Sequence, residues 1–389
     1  MKHIYVLLTL LMLAGATESM QAQNNSSSFL NRVKNALSGE IKIGTYTFPD
    51  GATYTGEIKG RKPNGKGRTE FKNGDVYEGE YVKGKREGYG VYTFTDGEKY
   101  EGQWYQDHQH GNGIYYFLNN NRYDGMWYQD YQQGDGTMYY YTGDTYVGSW
   151  EADKREGHGV YTWKNGSSYD GEWKADKKDG SGTFVWNDGS KYSGHWKADM
   201  RDGEGTFEYI NGDKYVGQWS ADVQNGKGIY YFNTGDRYEG DYVDGERTGL
   251  GIYTYANGNK YVGQFKDGTQ DGQGTFTWET GAVYEGQWKD NQRCGTGTYR
   301  WNNGDVYEGE WKDNTFNGEG TLTLVDGTKY KGGFVNGREE GKGVRIDKDG
   351  VRFDGSFKEG KKDGPFVETD KDGKVIREGT FRMDVLQNN

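Results

Sequence analysis

Cysteine, proline and histidine are nearly missing: one, three and five residues of 389. The lone Cys294 has no partner for an internal disulfide, so packing must hold the chain together. With so few prolines and no apolar periodicity of 3.6 after residue 40, the chain reads as all-β. Hydrophobic residues make up only 32% and mean hydropathy is −1.08, values that suit a disordered chain. Against that stand 34 tyrosines, 16 phenylalanines and 12 tryptophans, which supply large amphipathic surfaces. Positive charge is also short, with a net charge of −11, which disfavours nucleic acid and a purely electrostatic hold on anionic lipid.

Long apolar stretches are absent except at the start. Lys2 and His3 precede an apolar run from Ile4 to Leu13, then small residues at Ala14-Gly15-Ala16 or Ala22. This is the pattern of a secretory signal peptide over residues 1–22, too short to span a bilayer. An uncleaved anchor is the competing reading, and no cysteine lies near the cleavage region for a lipoprotein. The expected location is outside the cytoplasm, periplasmic or secreted, in a bacterium, with no transmembrane segment after cleavage. Residues 23–43 hold Phe29, Leu30, Val33 and Leu37 at helical spacing before Gly39. They predict either a linker or a short helix that caps the open end of the remaining chain.

From there one pattern recurs without insertion. Tyrosine followed two residues later by glycine stands at Tyr54, Tyr77, Tyr100 and every 23 residues to Tyr330, with Phe353 in the next place. Taking that tyrosine as position 0, glycine stands at +2 and an aromatic at +4. Tyr77 is followed by Gly79, Tyr284 by Gly286 and Trp288, and Tyr307 by Gly309 and Trp311. Glycines come next at +11 and +13, as at Gly88 and Gly90 or at Gly295 and Gly297. Aromatics stand at +15 and +17, as at Tyr299 and Trp301, and a turn glycine at +20, as at Gly304. A fixed period of this length marks a repeat array.

These residues, read as YEGEW…GxG…NG, resemble the membrane occupation and recognition nexus (MORN) repeats. The resemblance covers residues 44–365. It drifts at the end, where Arg345 and Asp347 replace the paired aromatics and Phe366 the second glycine, leaving 366–389 as a degenerate repeat and tail. It implies protein–protein contact, dimerisation and membrane association, without a catalytic domain attached here.

Two turns divide each copy. At +18 to +20, Pro49-Asp50-Gly51 suits a three-residue loop with a left-handed glycine, which pairs +15 with the next tyrosine. A second turn falls at +7, where Gly, Asn and Asp tolerate a left-handed backbone. The expected fold is an elongated antiparallel β-hairpin array, a curved or coiled meander, with one polar face and one aromatic face. The glycines at +2, +11 and +13 are expected to make room for rings lying over the backbone.

No reaction site emerges. His108-Gln109-His110 beside Asp107 could ligate a metal but lies in a variable connection, and no cofactor is expected. The aspartates after the turn glycine, such as Asp75 and Asp144, read as turn chemistry; the Gly-x-Gly pairs precede no helix that could bind phosphate. Basic groups such as Lys85-Arg86, Lys177-Lys178 and Lys361-Lys362 read as a solvated edge. The sequence thus predicts a non-enzymatic scaffold that binds a protein partner or a second copy. The alternative is a module for envelope polysaccharide or lipid, with Trp163, Trp186, Trp278 and Trp301 at +17 as the stacking rings.

Overall fold

The computed structural model describes residues 39–387. The signal peptide and the capping helix before Gly39 lie outside the described residues. Among these, thirty-one strands run from β1 (Ile41–Thr47) to β31 (Val385–Leu386), with no helix. Two units divide them at Lys164 and Asn165. In each, consecutive strands pair antiparallel as a meander.

The copy Tyr77–Lys99 shows the pairing in the first unit. Tyr77 lies opposite Tyr92 and Gly79 opposite Gly90; on the far side Tyr92 meets Tyr100 and Gly90 meets Gly102. The second unit repeats it. Tyr284 lies opposite Tyr299 and Gly286 opposite Gly297; Tyr299 then meets Tyr307, and Gly297 meets Gly309. Rows of tyrosine and of glycine therefore cross the strands side by side.

The first turn is the three-residue loop. Phe48 N–H donates to Ala52 O at 2.9 Å and Gly51 N–H to Phe48 O at 2.9 Å, with Pro49 first in the loop and Gly51 at φ 86°. The second turn is tighter than the sequence showed. Both +6 and +7 are left-handed, as at Ala221 (φ 47°) and Asp222 (φ 70°), which makes a two-residue type I′ turn. An alanine Cβ is strained there by about 1–2 kcal/mol. Ala221→Gly is accordingly expected to raise stability by about 0.5 kcal/mol after the extra freedom of the unfolded chain is subtracted. The urea midpoint reads this, and a lower midpoint would contradict it.

The glycines do three jobs, one of which the sequence misassigned. Those at +2 and +13 face each other under the tyrosine. A Cβ on Gly90 would stand 2.2 Å from the Tyr77 hydroxyl, and one on Gly79 2.5 Å from Gly90 Cα. Around Tyr284 the same seat is made by Gly286 and Gly297, whose added Cβ atoms would stand 2.6 Å and 2.5 Å from the hydroxyl; Gly309 repeats it under Tyr307 at 2.6 Å. The +11 glycine instead carries a bulge. Gly88 has φ 83°, between the pairs Gly79–Gly90 and Tyr81–Arg86, and its missing Cβ points at Glu80, not at a ring. Gly295, at φ 55°, likewise points at Gln287. The role of both is backbone conformation. The +20 glycine closes the first turn.

In each unit the core is an interlocked file of rings. Tyr77, Tyr284 and Tyr307 are completely buried, as is the tyrosine of nearly every copy. Within a unit such a ring typically meets its own +4 ring and that of the next copy edge-on: Tyr100 lies 5.2 Å from Trp104 and 5.3 Å from Trp127, near right angles to both. In the second unit the buried Trp288 sits 5.3 Å from Tyr284 and 5.2 Å from Tyr261 in the same manner. Polar tips are satisfied within the file. Tyr100 Oη donates to Gln103 O at 2.8 Å, Trp104 Nε1 to Gly90 O at 3.2 Å, and Trp288 Nε1 to Gly274 O at 3.1 Å.

The last copies keep the ladder while exchanging its chemistry. Phe366 fills the place of the +13 glycine and stacks on Phe353 at 5.2 Å and 18°, a swap that goes with the loss of the tyrosine hydroxyl. Glu368, buried where an aromatic belongs, is held by Arg377 Nε at 2.7 Å and Lys362 Nζ at 3.3 Å. The last pairing slips in register between Glu368 and Thr369.

Candidate binding surfaces

On the aromatic face several of the +4 rings are covered by a cation from position +9 of the preceding copy. Arg86 lies 4.2 Å from the Trp104 ring in the first unit; Lys178 (4.1 Å over Trp196), Arg201 (4.2 Å over Trp219) and Arg293 (4.6 Å over Trp311) repeat this in the second. Arg86, Lys178 and Lys362 do not lie at the solvated edge that the sequence predicts for them. They turn inward because the two-residue turn pairs +4 with +9, as Tyr81 with Arg86 and Trp173 with Lys178, which sets both on one face. Burial pulls the Lys178 ammonium below its usual value, with Asp199 opposing.

The +7 residue of the next copy locks each cation. Arg86 N–H donates to Asp107 Oδ1 at 2.9 Å, its Nη2 to Asp107 O at 2.7 Å, and Asp107 N–H to Arg86 O at 3.1 Å. Arg201 and Asp222 do the same. Residues that look like loop chemistry therefore staple one copy to the next.

The aspartates after the turn glycine do this at the other edge. Asp75 accepts from Tyr92 Oη at 2.7 Å and Thr95 N–H at 2.9 Å, both in the following copy; Asp213 accepts likewise from Tyr230 and Asn233. The Lys164 N–H, with Tyr161 Oη, holds the Asp144 carboxyl below its ordinary value against the opposing cost of burial. That contribution is present above the usual carboxylate range and fades as pH falls through it.

Burial raises the core phenols in the opposite sense. Tyr192 and Tyr238 are pushed up to about 12, with Arg201 and Arg247 partly offsetting. The folded value exceeds the ordinary one of about 10, so this stability is fully present below pH ~10 and is lost as pH climbs toward 12. In a titration followed by phenolate absorbance and circular dichroism, the core phenols are expected to ionise together with loss of the sheet. Ionisation of all tyrosines near pH ~10 with the sheet intact would contradict this.

The +17 tryptophans singled out from the sequence are half-buried. Trp186 packs 4.5 Å from Phe184 and 5.1 Å from Phe207; Trp278 lies 4.5 Å from Phe276, and Trp301 4.7 Å from Tyr299. In the first unit Trp163 lies 4.5 Å from Tyr161. Ring contacts of this kind run unbroken from Phe184 to Trp301 in the second unit. They form a band of mutually tilted, half-buried rings along the first-turn edge.

The histidine pair does not assemble a metal site: His108 Nδ1 hydrogen-bonds Asp130 Oδ2 at 2.6 Å, while the His110 ring lies between Tyr105 and Tyr128. Among the described residues no group of three metal-capable side chains occurs, and no helix is long and apolar enough to cross a membrane. Sequence reasoning misses the cluster around His110. Its signal is there, as two adjacent copies that carry Tyr and His where others carry Lys.

No curated protein matches the chain. Among solved structures, the TCP10 domain of Danio rerio CPAP in complex with a STIL peptide is similar at 16% identity and TM-score 0.32, covering 64% of this chain and 94% of that one. The TCP domain of Drosophila melanogaster SAS-4 with a proline-rich motif of Ana2 is similar at 16% identity and TM-score 0.26, covering 40% and 84%. The MORN repeat model matches fifteen consecutive segments from 43–53 through 353–375. With that match across the tyrosine–glycine ladder just described, the chain belongs to the MORN repeat family.

Proposed function

We propose that the chain is an exported, non-enzymatic scaffold that binds protein partners along its outer positions. One observation carries this reading: the core is nearly constant from copy to copy while the outward residues vary. Position +5, for example, is Tyr105, Tyr128, Glu151, Lys174 and Val243 on an unchanged ladder. A constant support with a variable surface suits recognition by many side chains at once. Carboxylates and cations such as Asp75, Arg86, Arg201 and Asp213 are engaged in holding copies together. A photo-crosslinking residue at exposed +5 positions is expected to give covalent adducts with other protein chains, or with a second copy, in the native compartment. Adducts with no polypeptide would overturn the scaffold reading.

Export rests on the basic, apolar and small-residue order of residues 1–22. Fractionation of cells making the full chain should place it outside the cytoplasm with a new N-terminus after residues 14–22. A full-length cytoplasmic product would contradict it.

The water-facing side of the aromatic band favours a second reading, a module that stacks sugar rings or lipid. Under it, joint replacement of Trp163, Trp186 and Trp301 by alanine abolishes retention on immobilised envelope polysaccharide. Under the scaffold reading such retention is absent from the start.

A further inference from the structure

The ring array breaks at one place in the second unit, among β23 (Gln292–Arg300), β24 (Val306–Lys312) and β25 (Thr315–Thr323). Three positions change there together. From Arg86 to Arg293 every +9 residue is arginine, lysine or glutamine, and the next is Phe316. The +15 residue, aromatic from Phe184 to Tyr299, becomes Leu322. Arg86, Lys178 and Arg201 each bond an aspartate at +7 of the following copy, Asp107, Asp199 and Asp222, whereas Arg293 bonds Asn314.

These changes open space. Trp186 and Trp278 reach the next +15 ring at 5.1 Å, but Trp301 has no such ring ahead of it and meets Phe316 at 5.8 Å and 80°. Phe316 does not lie over the following +4 ring as the cations do. It folds back to stack on Tyr307 at 4.0 Å and 18° and stands edge-on to Trp311 at 4.6 Å. A cavity of about 240 Å³ is left between Arg293, Trp301, Trp311 and Phe316.

They also leave a charge. The Arg293 N–H donates to Asn314 Oδ1 and its Nη2 to Asn314 O, both at 2.9 Å, so the lock between copies is kept with a neutral amide. Among the described residues no carboxylate pairs with Arg293 and nothing bonds its Nη1. Burial pulls this half-buried guanidinium below its ordinary value, opposed by the Tyr299 and Tyr284 phenols. Arg247 also lacks an aspartate, but there the next +9 residue, Gln270, stays buried and bonds Tyr255 Oη at 3.0 Å.

Charge and lining narrow the ligand. One guanidinium with donors to spare calls for one negative charge, and a carboxylate suits its planar fork. A phosphate, at nearly two charges and three acceptor oxygens, needs more cations than this lining holds. A sugar would set several hydroxyls against Trp301, Trp311 and Phe316, where each unpaired one is costly. A flat ring loses nothing there and gains aromatic contacts.

We propose that the pocket between Arg293, Trp301, Trp311 and Phe316 binds an aromatic carboxylate, supplied as a free acid or as the C-terminal aromatic residue of a polypeptide. The proposal does not rest on the scaffold reading.

The test is a fluorine NMR titration of the mature chain with para-fluorophenylacetate and, separately, with its neutral amide. Saturable binding of the acid at about 1 mM or tighter is expected, with the amide at least about tenfold weaker, as loss of a charged hydrogen bond requires. Asn314→Asp gives Arg293 the carboxylate that Asp222 gives Arg201, at nearly the same left-handed φ (67° against 70°). The urea midpoint should therefore hold while affinity for the acid falls at least about tenfold. Arg293→Gln, which places there what sibling copies carry at +9, should weaken binding as much. A hexapeptide ending in phenylalanine separates the two sources. Displacement of the fluorinated acid by this peptide but not by its amidated form assigns the site to polypeptide ends, and displacement by phenylacetate alone assigns it to free acids. No saturation up to about 10 mM overturns the proposal. So does equal binding of the amide, stronger displacement by glucuronate than by phenylacetate, or undiminished binding by Asn314→Asp. Such a failure leaves the scaffold standing, since that reading is tested by crosslinks at +5.

Discussion

Gly182→Ala is expected to cost about 3 kcal/mol or more and to melt the copies on either side of it. Its new Cβ would stand 2.3 Å from the Tyr169 hydroxyl and 2.5 Å from Cζ. The ring cannot step aside, because Trp173 at 5.2 Å and Trp196 at 5.4 Å hold it edge-on. Overpacking of this kind costs about 1–3 kcal/mol and sometimes more, and shifting the ring also strains the bond from Tyr169 Oη to Glu172 O, worth about 1 kcal/mol. Gly166→Ala is the control. Nothing lies within 4 Å of its Cβ, and only its φ of 91° opposes the change, a penalty of about 1 kcal/mol. Urea unfolding gives the two costs. Amide exchange across β12 (Ser168–Lys174), β13 (Lys177–Val185) and β14 (Lys191–Lys197) shows whether the loss is local, as a nearest-neighbour array requires. Equal costs for the two variants would mean that the ring yields.

Trp196→Ala should lower stability by about 4 kcal/mol, near the upper part of the range for a buried aromatic. The indole is only 5% exposed, meets Tyr169 and Tyr192 edge-on, and donates from Nε1 to Gly182 O at 3.1 Å. Its removal also strips Lys178 of the ring at 4.1 Å, leaving a largely buried ammonium over a cavity. Trp186→Ala is expected to cost no more than about 1.5 kcal/mol, since that ring already faces water on one side. The ratio matters more than either number. A large ratio in urea midpoints means that +4 is core and that +17 is free to serve as surface; comparable values would make the +17 band structural and undercut the glycan reading.

The period, the two strands per copy and both turn positions are legible in the amino-acid order alone. Each depends on local backbone preferences that every copy restates: Pro49 and Gly51 fix the first turn, and a left-handed residue at +7 marks the second. The rows of rings and glycines, such as Gly286, Gly297 and Gly309 beside Trp288, follow from the same alternation. Contacts across the bulge and between copies lie beyond it. Arg86 reads as part of a solvated edge until the two-residue turn pairs it with Tyr81 and sets it over Trp104, and Gly88 reads as a ring seat until its φ is known. Asp75 reads as a turn residue until Tyr92 and Thr95, 17 and 20 positions away, close on it. The pocket between Arg293 and Phe316 is visible in the sequence only as irregularity in a repeat. Folding brings these residues together on one face, because register across a bulged ladder, rather than spacing along the chain, decides which side chains meet.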